Sequence, residues 1–297
     1  MYPLQLAVQA ATLGLLALSI GWLLRQTGQL SFGHAAFQGV AGYTTGLLVI
    51  RLDLAPVPAI LIGILGGTVF ALIVGLFVVR SPGVAFSMLT LAVGMLVWVL
   101  LTQSRELTNG FDGMAVPFDG EVFGQQAGAY INPVAMWPVV WIALMLAIGG
   151  FWWVSRTVFG RRLTAIRENE ERARFSGWGT YWPRVLAFTL SGLCASLSGG
   201  VAVLNQGFLS PESVFWSASG LALIVAVIGG IGSVWGPPIG AIAFIALQSA
   251  LSQSSQYQII IGLLLMVIVV VARGGIAGLA RSVWTWVRGL RKERRDA

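Results

Sequence analysis

Charge is scarce in this chain: lysine, arginine, aspartate and glutamate make up 10% of 297 residues, against 57% apolar side chains. That leaves too little polar surface to cover a soluble globule of this length, so the chain is an integral membrane protein. Lysine is almost missing. Lys292 is the only one, which excludes a G-x-x-x-x-G-K-S/T phosphate loop and with it ATP hydrolysis by the chain alone. One histidine, His34, and one cysteine, Cys194, cannot assemble a His/Cys metal site or the base of a nucleophilic centre. No catalytic residue, metal or cofactor is expected, and Cys194 reads as a small packing residue. Acidic residues are absent from the apolar segments, which counts against an ion-coupled carrier, since such carriers place carboxylates or histidines along their path. Sodium sites made of backbone carbonyls keep that class open.

What is present is a series of apolar segments of the length that a hydrocarbon core of roughly 30 Å requires. Nine are counted: 4–24, 32–50, 54–79, 83–102, 133–154, 183–204, 217–235, 236–250 and 258–272. The expected fold is an all-α polytopic membrane protein of about nine helices, eight to ten, some broken or re-entrant, because the alternating pattern of barrel strands is missing. With the N-terminus outside and nine segments alternating, 16 basic residues fall on the inside and only Arg51 and Arg105 outside, as the positive-inside rule asks. The C-terminus is then cytoplasmic. The net charge of +7 follows from this topology, so no nucleic-acid partner is needed. The first segment has no basic leader and reads as a retained span. Residues 1–272 form one transmembrane domain, with an outer loop at 103–132, an inner loop at 155–182 and a basic tail at 273–297.

The inner loop is the polar island of the chain. It carries Arg156, Arg161, Arg162, Arg167, Glu168, Glu170, Glu171, Arg172 and Arg174, with Arg184 just beyond. Arg167 with Glu171, Glu168 with Arg172, and Glu170 with Arg174 stand at i, i+4, the spacing of paired charges on a helix. Leu163, Ile166, Glu170, Ala173 and Gly177 form a narrow stripe along one side, fit to pack on a partner. By itself this reads rather as a solvated, salt-laced hairpin between two spans.

Two strings then carry a resemblance. Gly28 to Leu47, GQLSFGHAAFQGVAGYTTGL, resembles an early signature of the permeases of branched-chain amino acid ABC importers. Gly160 to Gly177, GRRLTAIRENEERARFSG, is similar to the large cytoplasmic loop of that family's M-type subunit. TNGFDG at 108–113, LSPESVFWSASG at 209–220, GGIGSVWGPPIGA at 229–241 and RGGIAGL at 273–279 come after them in order or between them. The resemblance implies a multi-pass subunit of the bacterial inner membrane that forms half of a translocation path. Its implied partners are a second homologous permease, two ATP-hydrolysing subunits and a periplasmic binding protein. It also implies that the inner loop is a coupling helix on the ATPase, carried by Gly160, Arg161, Ala165, Ile166, Arg167, Glu168, Asn169 and Glu170.

Other candidate positions rest on local chemistry. Ser31, Gly33, His34 and Gly39, and again Gly229, Gly230, Gly232, Gly236 and Pro237, mark two small-residue breaks that would flank a central path. For His34 an interfacial hydrogen-bonding role is preferred over a place in the path. Thr108, Asn109, Gly110 and Asp112 sit in the outer loop where a binding protein would dock. In the tail, Ile276, Leu279, Val283, Val287 and Leu290 share a face, as in a helix lying on membrane lipids. The substrate implied is a branched-chain or related amino acid. RFSGW at 174–178 points instead toward relatives that move urea or short amides, and aromatic carboxylates are a further option. Leu221 stands where many relatives carry an acidic residue. A self-sufficient carrier or channel is the alternative from another class.

Overall fold

The computed structural model describes residues 2–118, 120–122, 124–251, 262 and 275–278. Its helices, in chain order, are α1 (Tyr2–Thr27), α2 (His34–Leu52), α3 (Pro56–Val78), α4 (Gly83–Gln103), α5 (Arg105–Thr108), α6 (Pro133–Arg156), α7 (Val158–Glu168), α8 (Glu170–Phe175), α9 (Tyr181–Gln206), α10 (Trp216–Gly229) and α11 (Gly236–Leu251). Five of these, α1, α3, α4, α6 and α9, are long and apolar enough to cross a membrane. The candidate segment 258–272 and the tail from Arg273 lie outside the described residues, apart from 262 and 275–278.

The five divide by burial. In α1 and α9, 72% and 67% of the apolar window is inside the protein, against 28% in α3, 22% in α4 and 28% in α6. Two helices are therefore core and three present a wide apolar face outward, as Phe77, Val84, Met88 and Leu146 show by their exposure. The α1–α9 contact is tied by hydroxyls and a thiol that donate across it: Ser191 Oγ to Ser19 O, Cys194 Sγ to Leu15 O, and Ser198 Oγ to Thr12 O. Because the partners run in opposite order along the two helices, the contact is antiparallel.

Between lipid-embedded helices close packing has to supply what hydrophobic transfer cannot. Glycine makes it possible. A Cβ on Gly192 would lie 2.2 Å from Ala71 Cβ, and one on Gly199 would lie 2.1 Å from Gln38 O, so α9 meets α3 and α2 nearly backbone to backbone. Gly63 and Gly67 bring α3 equally close to Thr45 and Phe37 of α2.

The glycine-rich string after Trp216 is a tight helical hairpin. α10 ends at Gly229, Gly230 takes φ 104°, and α11 starts at Gly236. The stretch 217–235, expected as one segment, is therefore a 14-residue helix plus its turn, and α11 has 16 residues. At 1.5 Å per residue α10 does not reach across roughly 30 Å unaided. A Cβ on Gly229 would meet Gly236 O at 1.9 Å. Pro237 of α11 in turn packs on Gly21 of α1.

The chain has two ends. One carries the C-terminus of α1, the α3–α4 turn, α7, α8 and the start of α9. At the other, the described residues between 104 and 132 fold back on the bundle. There β1 (Met114–Ala115) pairs antiparallel with β4 (Phe208–Leu209), and β2 (Glu121–Val122) with β3 (Gln125–Gln126).

Candidate functional site

At the arginine-rich end, α7 and α8 form a hook. Thr157 caps α7 by accepting from Gly160 N, and Gly160 is required because a Cβ there would lie 2.5 Å from Val154 O. The sequence suggested one continuous helix through residues 163–174. Instead the chain breaks at Asn169, whose φ of −157° and ψ of 101° are extended, and whose side chain caps α8 by accepting from Arg172 N at 2.8 Å. The break removes the helical register from two of the three expected pairs. Among the described residues the ion pairs are Glu170 with Arg174 at 2.8 Å and Glu170 with Arg184 at 2.7 Å, so one carboxylate ties the hook to α9.

Burial works against ionisation of Glu170. The hydrogen bond and charge of Arg184, the Thr180 hydroxyl and the charge of Arg174 outweigh it and hold the carboxyl below the usual glutamate range.

The stripe is also placed differently. Leu163, Ile166 and Ala173 are buried against the protein itself, and Ala165 is half-buried. Arg167 Nη1 donates to Arg25 O at 2.5 Å, satisfying a carbonyl at the C-terminal end of α1. Left on the outside are Arg161, Arg162, Glu168, Glu171, Arg172 and Phe175, whose ring is 91% exposed.

Four further residues, not legible as a set in the sequence, fasten the end of α6 and the hook to α1. Trp22 Nε1 and Gln26 Nε2 both donate to Ser155 Oγ, at 3.0 and 2.7 Å, and Thr164 Oγ donates to Gln26 Oε1 at 3.3 Å. Trp22 stacks on Phe151 at 4.4 Å. The i, i+4 spacing of Trp22 and Gln26 beside Arg25 was the one signal in the sequence.

The break between α1 and α2 is pinned from several sides. Phe32 N donates to Thr90 Oγ at 3.1 Å, Ser87 Oγ to Leu30 O at 2.7 Å, and Ala35 N to Ser219 Oγ at 2.9 Å. His34 is fully buried and hydrogen-bonded at both ring nitrogens. Its Nε2 lies 2.6 Å from Ser191 Oγ and its Nδ1 2.9 Å from Ser31 Oγ. Ser191 spends its proton on Ser19 O, so Nε2–H donates to Ser191 and Ser31 O–H donates to Nδ1, an assignment from the network. His34 thereby joins α2, α9 and α1. Gly33 packs on Thr90 O and Gly39 on Val214, while Gly232 is outside any close contact.

Toward the other end, Gln9, Thr12, Gln38, Asn205, Gln206 and Ser213 line a groove of 360 Å³ between α1, α2 and α9, walled also by Leu16 and Leu221. It continues into a narrow neck beside Gly39 and Gly42. Gln38 Oε1 is buried there with no donor. The lining has no titratable group. Amides and hydroxyls both donate and accept, so the groove suits an uncharged polar or zwitterionic solute held weakly. Of the outer-loop candidates, Thr108 and Gly110 are buried in the loop's own fold and Asn109 and Asp112 are exposed. Thr108 Oγ donates to Ser104 O at 2.9 Å and Asn109 Nδ2 to Gly113 O at 3.0 Å.

An apolar helical bundle, an uncharged groove lined by amides, hydroxyls and aliphatic side chains, and a charged hook at one end suit a polytopic membrane transport protein. Residues 2–272 match the family described as the branched-chain amino acid transport system permease component, and the chain belongs to that family. It is similar to the high-affinity branched-chain amino acid transport system permease protein LivM of Escherichia coli K12, 25% identical over 87% of this chain and 66% of that protein. The LivM of Salmonella typhimurium is 24% identical over the same shares. The alignment thus spans just under two thirds of these relatives. The xylose transport system permease protein XylH of Escherichia coli K12 is 30% identical over 54% of this chain and 45% of its own length. No solved structure matches the chain.

Proposed function

We propose that this chain is the membrane-spanning permease subunit of an ATP-driven importer of the bacterial inner membrane, powered by separate ATPase subunits. Family membership carries the reading, and the hook supports it. The hook is bonded to α1 through Thr164 and Arg167, and the end of α6 from which it springs is bonded to α1 through Ser155, yet the hook offers an outer face of charges around an exposed phenylalanine. A push on that face would pass through Arg167, Ser155 and Gln26 into α1, then to the α1–α9 seam that walls the groove. A second homologous permease would complete the path, and a periplasmic binding protein would deliver solute at the Asn109 and Asp112 end.

Among solutes, a branched-chain or related amino acid is the first choice, because the LivM similarity runs over most of the chain. A neutral sugar is a second reading, favoured by the XylH match and by a groove rich in amides and free of charge. Leu221, in place of an acidic residue, lies on that groove wall.

The test is reconstitution in proteoliposomes with the second permease, the ATPases and the binding protein. ATP-dependent uptake of labelled leucine, isoleucine or valine is expected, with none from this chain alone. Xylose taken up in their place would move the substrate to the second reading, and uptake by the chain alone without ATP would refute the importer.

A further inference from the structure

A second cleft, of about 590 Å³, lies at the hook end, away from the hook's outer face. Its walls are the segment after α1, the α3–α4 turn and the start of α9, with the inner side of α8. Three guanidiniums, of Arg80, Arg174 and Arg184, line it against a single carboxylate, Glu170. The carboxylate is spent on Arg174 and Arg184. Arg80 stands outside those pairs, 5.0 Å over the ring of Tyr181.

Two buried polar atoms are left without partners at this cleft. Arg184 Nε is a donor with no acceptor, and Gln29 Oε1 is an acceptor with no donor. Both α4 and α9 begin on its wall, and neither has a side-chain cap, so the positive ends of two helix dipoles add to the excess of cations. The rim is apolar and outward: Phe77 is 74%, Val84 73% and Trp182 61% exposed. In a membrane protein such residues meet acyl chains, and tryptophan marks the headgroup level.

We propose that this cleft binds the phosphate of an anionic phospholipid headgroup, held between Arg80 and Arg184 at the starts of α4 and α9 with its acyl chains along Phe77 and Val84. Phosphate oxygens satisfy the guanidiniums, Arg184 Nε among them, by charge-assisted hydrogen bonds. A headgroup hydroxyl, as in phosphatidylglycerol, donates to Gln29 Oε1. Because Glu170 and Arg174 belong to α8, a bound lipid would brace the hook against the bundle. The site stands independently of which solute is carried.

Native mass spectrometry of the full chain, released from micelles doped with equal phosphatidylglycerol and phosphatidylcholine, reads the site directly. Phosphatidylglycerol should be retained preferentially, and Arg80→Gln should cut that preference about fivefold, the worth of one cation near a headgroup. Arg80 is exposed, so this variant folds; Arg51→Gln at the other end controls for general charge and should change nothing. Equal retention of both lipids, or retention unaffected by Arg80→Gln, overturns the proposal. Displacement of the lipid by millimolar inorganic phosphate would reassign the site to a free anion and overturn the lipid source.

Discussion

A single carboxylate ties the outer part of the hook to α9. Glu170 joins α8 to α9 through Arg184 and to its own helix through Arg174. Its carboxyl is held below the ordinary value of 4.5, so the stabilisation is complete above that value and is lost as pH falls through the lowered one. A nitroxide at position 175 should therefore gain mobility in Glu170→Gln at neutral pH, and in the parent only when the medium is acidified below the ordinary glutamate range. A mobility independent of both would remove Glu170 as the tether. At this scale the sequence disclosed which residues are chemically unusual but not whom they touch. Arg167 was legible as important, yet its partner is a backbone carbonyl of α1, and no spacing rule points at a carbonyl. His34 has the same lesson: its partners, Ser31 and Ser191, are 3 and 157 residues away. Gln38, which leaves a buried carbonyl oxygen in the groove, was hidden among small residues of a continuous signature. Gln38→Leu should lower reconstituted uptake several-fold while ATP hydrolysis persists, since an amide that faces solute is worth about 1 kcal/mol.

Elements were read well where length and apolarity sufficed. The spans that became α1, α3, α4, α6 and α9 have their bounds within a few residues of the apolar runs. Boundaries failed where backbone geometry rather than composition ends a helix. Gly230 turns α10 back after 14 residues, and Asn169 splits a run of good helix formers by leaving α7 and capping α8. Asn169→Ala should cost about 1 kcal/mol of cap and make the α8 amides exchange about fivefold faster, leaving those of α1 unchanged. Helix contacts are the other element-scale prediction. Gly199→Val, which drives a side chain into Gln38 O, should lower the unfolding temperature in detergent by the equivalent of about 1–3 kcal/mol of overpacking. Gly149→Ala, with nothing within 4 Å, should leave it unchanged.

For the whole molecule, the class was legible because an apolar majority with one lysine admits few soluble or enzymatic alternatives. The route between its ends was not, since it runs through contacts distant in sequence: hook to α1 through Ser155 and Gln26, then α1 to α9 through Ser19, Leu15 and Thr12. Such a chain of rigid contacts can transmit a displacement only if its first link grips. Arg167→Ala should insert normally but lose about tenfold in uptake per ATP hydrolysed, the loss of one charge-assisted hydrogen bond. The most direct measurement is the side of the membrane on which the hook lies. In Phe175→Cys the new thiol is exposed, whereas the native Cys194 is buried and shielded. An impermeant maleimide should label this variant in inside-out vesicles and not in intact cells, and a thiol crosslinker should join it to the ATPase. Labelling of position 175 from outside intact cells would contradict the proposed coupling of this permease to ATP hydrolysis.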